Sequence, residues 1–86
     1  MKIYMKPIRM LSVTETDGRI RPFRFQLEHR GEKITVKVDR INQQSQEKLA
    51  GIPSLIFRCQ SVIHNIERVY ELKYEISTHK WFLYKM

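Results

Sequence analysis

Apolar and polar residues alternate with a period of two along much of the chain, the pattern of strands that bury one face. The clearest stretch runs from Ile20 to Ile41. Phe23, Phe25 and Leu27 alternate with Arg24, Gln26 and Glu28; after Arg30-Gly31, Ile34, Val36 and Val38 alternate with Lys33, Thr35, Lys37 and Asp39. With Arg30-Gly31 as a two-residue loop, Leu27 faces Ile34, Phe25 faces Val36 and Phe23 faces Val38. On the other face Glu28 then meets Lys33, an opposite-charge pair. A slip of one residue would set apolar against polar along the whole hairpin, so the pattern specifies its own register.

The same reading extends to both sides. Residues 8–14 and 20–28 predict a first hairpin, joined through Thr14-Glu-Thr-Asp-Gly18, where Asp17-Gly18 is a tight-turn dipeptide. Leu55, Phe57 and Cys59 alternate with Ile56, Arg58 and Gln60, and Tyr70, Leu72, Tyr74 and Ile76 alternate with Glu71, Lys73 and Glu75. A loop at Asn65-Ile66 sets Ser61 opposite Tyr70, Cys59 opposite Leu72, Phe57 opposite Tyr74 and Leu55 opposite Ile76. A last turn at Ser77-Thr-His-Lys80 aligns Ile76 with Trp81 and Tyr74 with Leu83. Residues 42–54 break the alternation. Ser45 is a capping residue and Gly51 followed by Pro53 ends a helix, so the segment near 43–52 reads as a loop or a short helical turn. Leu49 and Ile52 would then plug an open end. The expectation is one all-β domain over 1–86, an antiparallel meander of about six strands forming a small barrel or a strongly twisted sheet, with 1–7 loosely held.

Composition narrows the chemistry. The chain has 86 residues, one domain's worth, and 16 Lys and Arg against nine Asp and Glu, a formal charge of +7. Residues 1–40 hold ten of those cations and five of the acids. The single cysteine, Cys59, rules out an intramolecular disulfide. No Cys/His set has metal-ligand spacing, so neither a metal nor another cofactor is expected. No apolar run is long enough to span a bilayer as a helix, and Met1–Pro7 lacks the apolar stretch of a signal peptide; the expected location is cytoplasmic, away from membranes.

No catalytic constellation is visible. His29, His64 and His79 all fall at or beside turns, and nothing brings two of them together. Cys59 lies mid-strand on the apolar side, the position of a buried thiol. Glu71 and Glu75 flank Lys73 as a solvated row of alternating charge. The protein is therefore read as a non-enzymatic binding module. Arg24 falls opposite Lys37 and Arg21 near Arg40 on the outer face of the central hairpin. Like charges set side by side cost stability, which invites a phosphate or carboxylate partner. Phe82 and Tyr84 project from the opposite side of their strand to Trp81 and Leu83, beside Lys73. On this reading Arg21, Arg24, Lys37 and Arg40 contact nucleic-acid phosphates and Phe82 and Tyr84 stack on bases; an acidic protein is the other charge-matched partner. The alternative is a protein-interaction or self-association module, monomeric or weakly dimeric, using Phe82 and Tyr84 or an unclosed edge strand.

Arg21-Pro-Phe-Arg-Phe25, Gly31 before the strand ending Val38-Asp-Arg-Ile41, Phe57-Arg-Cys59, Val69-Tyr-Glu-Leu-Lys-Tyr-Glu75 and Trp81-Phe-Leu-Tyr84 together resemble a family of small uncharacterised bacterial β-barrel domains. Such domains occur alone and appended to proteins resembling Y-family polymerases. The resemblance spans roughly residues 20–86 and implies a β-barrel with a nucleic-acid context. It carries over no catalytic residue, and residues 42–54 depart from its pattern.

Overall fold

The central hairpin takes the register its alternation specifies. In a computed structural model covering Met1–Met86, Arg24 lies opposite Lys37, Phe25 opposite Val36, Leu27 opposite Ile34 and Glu28 opposite Lys33. Arg30 and Gly31 have φ of 51° and 78°, the paired positive values of a type I′ turn, whose twist matches that of the strands it joins.

Seven strands form one antiparallel sheet with no helix: β1 (Ile3–Thr14), β2 (Ile20–His29), β3 (Glu32–Lys37), β4 (Arg40–Leu49), β5 (Ile52–Ile63), β6 (Ile66–Glu75) and β7 (Lys80–Lys85). Their spatial order is β3-β2-β1-β7-β6-β5-β4. Six strands and a short helical turn near 43–52 are thus corrected to seven strands and no helical turn. The polar run Asn42-Gln-Gln-Ser-Gln-Glu-Lys48 is the extra strand, paired with β5 from Arg40–Gln60 to Leu49–Ile52. Gly51, expected to end a helix with Pro53, instead forms a second turn with Ala50, with positive φ of 80° and 50°. Leu49 and Ile52 flank it at 56% and 47% exposure and plug nothing. The first residues are also paired: Ile3 lies opposite Lys85, and Lys2 and Met86 exchange backbone hydrogen bonds of 2.9 and 3.0 Å.

Two handovers fold this sheet into two layers. β1 pairs with β7 as far as Ile8 and with β2 from Arg9 onward. The chain passes directly from one sheet edge, β3, to the other, β4, through Val38-Asp39. Val38 N–H donates to Phe23 C=O of β2 (2.9 Å), and Asp39 N–H donates to Gln60 C=O of β5 (3.1 Å). β3 and β4 each pair on one side only, so the sheet is not closed into a barrel. A polar cluster clamps this corner. Ser61 Oγ donates to Lys37 C=O at 2.7 Å, which leaves it to accept the hydrogen bond of Tyr70 Oη, 2.5 Å away. Asp39 Oδ2 accepts from Val62 N–H at 2.9 Å.

The core lies between the layers. Phe25, Val36 and Val38 of the β1–β2–β3 layer and its exit meet Phe57, Cys59, Tyr70, Leu72, Trp81 and Leu83 of the other. Phe25 and Tyr70 stand edge to face across the gap, with centroids 5.5 Å apart. Phe23 does not join them. β2 bulges between Arg24, opposite Leu11, and Pro22, opposite Ser12, so Phe23 is the extra residue and Pro22 takes the fully buried place. Proline lacks the N–H that a regular central strand needs, and a bulge accommodates it.

The register of the β5–β6 hairpin is displaced by two residues from the expectation. Cys59 lies opposite Tyr70, Phe57 opposite Leu72 and Leu55 opposite Tyr74. The turn is His64-Asn65, with φ of 51° and 63°, rather than Asn65-Ile66. A type I′ turn needs both central residues in the left-handed region, which β-branched Ile66 resists. A shift of two leaves each residue on its expected face. The β6–β7 pairing is displaced in the same way, with Tyr74 opposite Trp81 and Leu72 opposite Leu83.

Candidate nucleic-acid interface

The outer face of the β1–β2–β3 layer is built by the alternation that buries its inner one. Because Phe25 and Val36 turn inward, Arg24 and Lys37 turn out directly opposite each other, both exposed. On β1, Leu11 lies opposite Arg24 and Arg9 opposite Gln26. Arg9 is thus one strand away from the pair expected from sequence, and sequence reasoning missed it. Its signal was its place in the Arg9–Leu11–Val13 alternation, but only the β1–β2 register shows which strand face that set shares. Arg9 and Gln26 line two adjoining depressions of about 430 and 330 Å³. One is completed by Glu28 and Lys33, the other by Arg24 and Thr35. Gln26 Nε2 donates to Thr35 Oγ1 at 3.5 Å.

The cations of this surface stand outside the chain's ion pairs, although Glu28 shares the face and lines the depression beside Arg9. The ion pairs of the chain are Arg19–Asp17, Arg21–Glu15 and Lys73–Glu47, so Arg9, Arg24 and Lys37 have no carboxylate partner. Arg24 instead places its guanidinium 5.7 Å from the Phe23 ring centroid. Lys37 is held at its main chain, where its C=O accepts the Ser61 hydroxyl.

The remaining expected contacts lie elsewhere. Arg21 is past the bulge and donates through Nε to Glu15 Oε1 at 3.2 Å. Arg40 begins β4, opposite Gln60, on the other layer. Phe82 lies between Pro7 on β1 and Lys73 on β6, and Tyr84 packs beside it. Because the inner faces of the two layers meet at Phe25 and Tyr70, their outer faces point apart, which separates these aromatics from Arg24 and Lys37. Phe82 and Tyr84 are themselves half-buried. Lys73, read above as part of a solvated row, is only 8% exposed. Its ammonium sits 4.8 Å from the Tyr84 centroid and 3.4 Å from Glu47 Oε1, not on Glu71 or Glu75. Lys85 approaches Tyr84 at the same 4.8 Å, so the ring is shared by two cations.

The groups considered for catalysis are spread out. His79 Nδ1 is 2.9 Å from Tyr74 Oη in the β6–β7 turn, whereas His29 and His64 belong to other turns. No three of His, Cys, Asp and Glu cluster as a metal site. Burial pushes the Cys59 thiol up to about 12 from 9.0 and raises the Tyr70 phenol well above its ordinary range, more than its Ser61 hydrogen bond lowers it. Both groups hold their protons in the folded chain to higher pH than in the unfolded one. Stability is therefore fully present below about pH 9 and falls as the unfolded chain ionises above it. Denaturant midpoints measured from pH 7 to 11 should decline from about pH 9 upward, and iodoacetamide at pH 8 should modify Cys59 in urea but not in the native protein.

Comparison with family models, with curated proteins and with solved structures finds no match to this chain. Function is argued from the site itself.

Proposed function

We propose that the protein is a non-enzymatic nucleic-acid-binding module whose β1–β2–β3 outer face takes a phosphate backbone. The observation that carries this reading is the set Arg9, Arg24 and Lys37, which converges on one exposed sheet face with no carboxylate partner. Phosphates supply the countercharge that the fold withholds, and each contact releases condensed counterions from the nucleic acid. Gln26 and Thr35 add hydrogen-bonding groups between the cations. Phe82 and Tyr84 face away from this row, Arg21 is already paired with Glu15 and Arg40 lies on the other layer, so the interface is electrostatic and rests on Arg9, Arg24 and Lys37. Contacts of this type position a backbone without reading its bases, and little sequence preference is expected.

The test is a titration of the isotope-labelled protein with a short single strand at low salt, followed through backbone amide shifts. Shifts should cluster at Arg9, Arg24, Gln26 and Lys37. A cluster on the β4 edge or around Phe82 and Tyr84, with the row unmoved, would assign binding to another surface and overturn this one.

A further inference from the structure

We propose that the open end of the sheet, between the β2–β3 and β5–β6 turns, binds a medium-chain carboxylic acid, its acyl chain between the layers and its carboxylate on a basic rim. The core is flanked there by apolar residues that are only partly buried. Leu27, Ile34, Ile63 and Met86 pack against it but remain half-buried. The resulting cleft measures about 320 Å³ and is lined by eleven residues, of which seven are apolar. The other four are Lys6, His29, His64 and Arg68. No acidic side chain lines the cleft, and none of these four basic residues is in an ion pair. Two acids neighbour these residues without lining the cleft: Glu67, next to Arg68 in the chain and bonded to the Gln60 amide, and Glu32, opposite His29.

The two halves of the lining select the ligand class together. An apolar floor alone would suit any hydrocarbon but gives no role to the two cations, Lys6 and Arg68, or to the two imidazoles beside them. A basic rim alone would suit any anion but gives no role to the half-buried Leu27, Ile34 and Ile63. An amphiphile with one anionic head uses both, and small-ligand sites commonly combine an apolar lining with a few convergent polar groups. The volume is about that of ten water molecules, which accommodates an acyl chain of about eight carbons rather than a long one. The cleft shares no residue with the Arg9–Arg24–Lys37 row, so this proposal and the nucleic-acid reading stand or fall separately.

The probe is octanoate, with 1-octanol as its uncharged counterpart, each titrated at pH 7 into the labelled protein while amide shifts are followed. Octanoate should give saturable shifts at Leu27, Ile34, Ile63 and Leu83 and bind at least tenfold more tightly than octanol. Lys6→Gln with Arg68→Gln should bring octanoate down to the affinity of octanol and leave octanol unchanged. Equal affinity for the two probes in the wild type would overturn the proposal without recourse to any variant. So would the absence of saturable octanoate shifts, or shifts centred on Arg24 and Lys37 instead.

Discussion

Replacing Phe57 by alanine is expected to cost about 3–5 kcal/mol of folding stability, the range for emptying a fully buried aromatic site. Phe57 is completely excluded from solvent. It lies mid-strand in β5, opposite Gln44 on one side and Leu72 on the other. Its ring packs 5.6 Å from Trp81, which in turn lies 4.8 Å from Tyr74, so one aromatic row spans β5, β7 and β6. A chain of 86 residues has a total stability of roughly 4–13 kcal/mol, and no disulfide supports the fold. Losing the central ring should therefore remove between about a quarter and all of it. Leu49→Ala is the contrast: more than half exposed at the β4–β5 turn, it should change stability by about 0.5 kcal/mol or less. Urea denaturation of both variants checks the difference. A Phe57→Ala midpoint within experimental error of the wild type would mean the core is not organised around this residue.

The second large effect concerns binding. Reversing charge at Arg24 and Lys37 together, as R24E with K37E, should weaken nucleic-acid binding at least tenfold at low salt. The two positions are direct cross-strand neighbours and both are exposed, so the fold should tolerate the change. It even removes nothing from an existing ion pair. Each reversal deletes a phosphate contact and sets a carboxylate against the backbone in its place. Net charge falls equally in K48E with R58E, two exposed cations of the other layer. That control should lose far less. Equal loss in the two variants would show that overall charge, and not this face, governs binding.

What the alternation made legible, and what it did not, follows from where the information sits. The Arg24–Lys37 pairing was readable because one apolar face and one turn specify it within twenty residues. Arg9 was not, because its membership of the row depends on how β1 pairs with β2, and that register shifts at the Phe23 bulge. Pro22 was the local trace of that bulge, a residue without an N–H inside a central strand. β4 was illegible for another reason. Its inward positions Gln44 and Gln46 lie at the sheet edge with little core above them, so they are polar and exposed and leave no periodicity. Ser45, Gly51 and Pro53 then mimic the ends of a helix, while backbone pairing to β5 decides the outcome. The alternation separated Trp81 and Leu83 from Phe82 and Tyr84 without saying which pair turns inward; Trp81 and Leu83 enter the core. That the outward pair points away from the basic row is a consequence of folding one sheet into two layers, which no single strand pattern contains.

The central claim, that the Arg9–Arg24–Lys37 face binds a phosphate backbone, is tested most directly by the salt dependence of binding to a labelled single strand. Three phosphate contacts should give a slope of log K against log salt of about −2, with affinity dropping more than tenfold between about 50 and 200 mM salt. No binding at low salt, or binding that does not weaken as salt is raised, would contradict it.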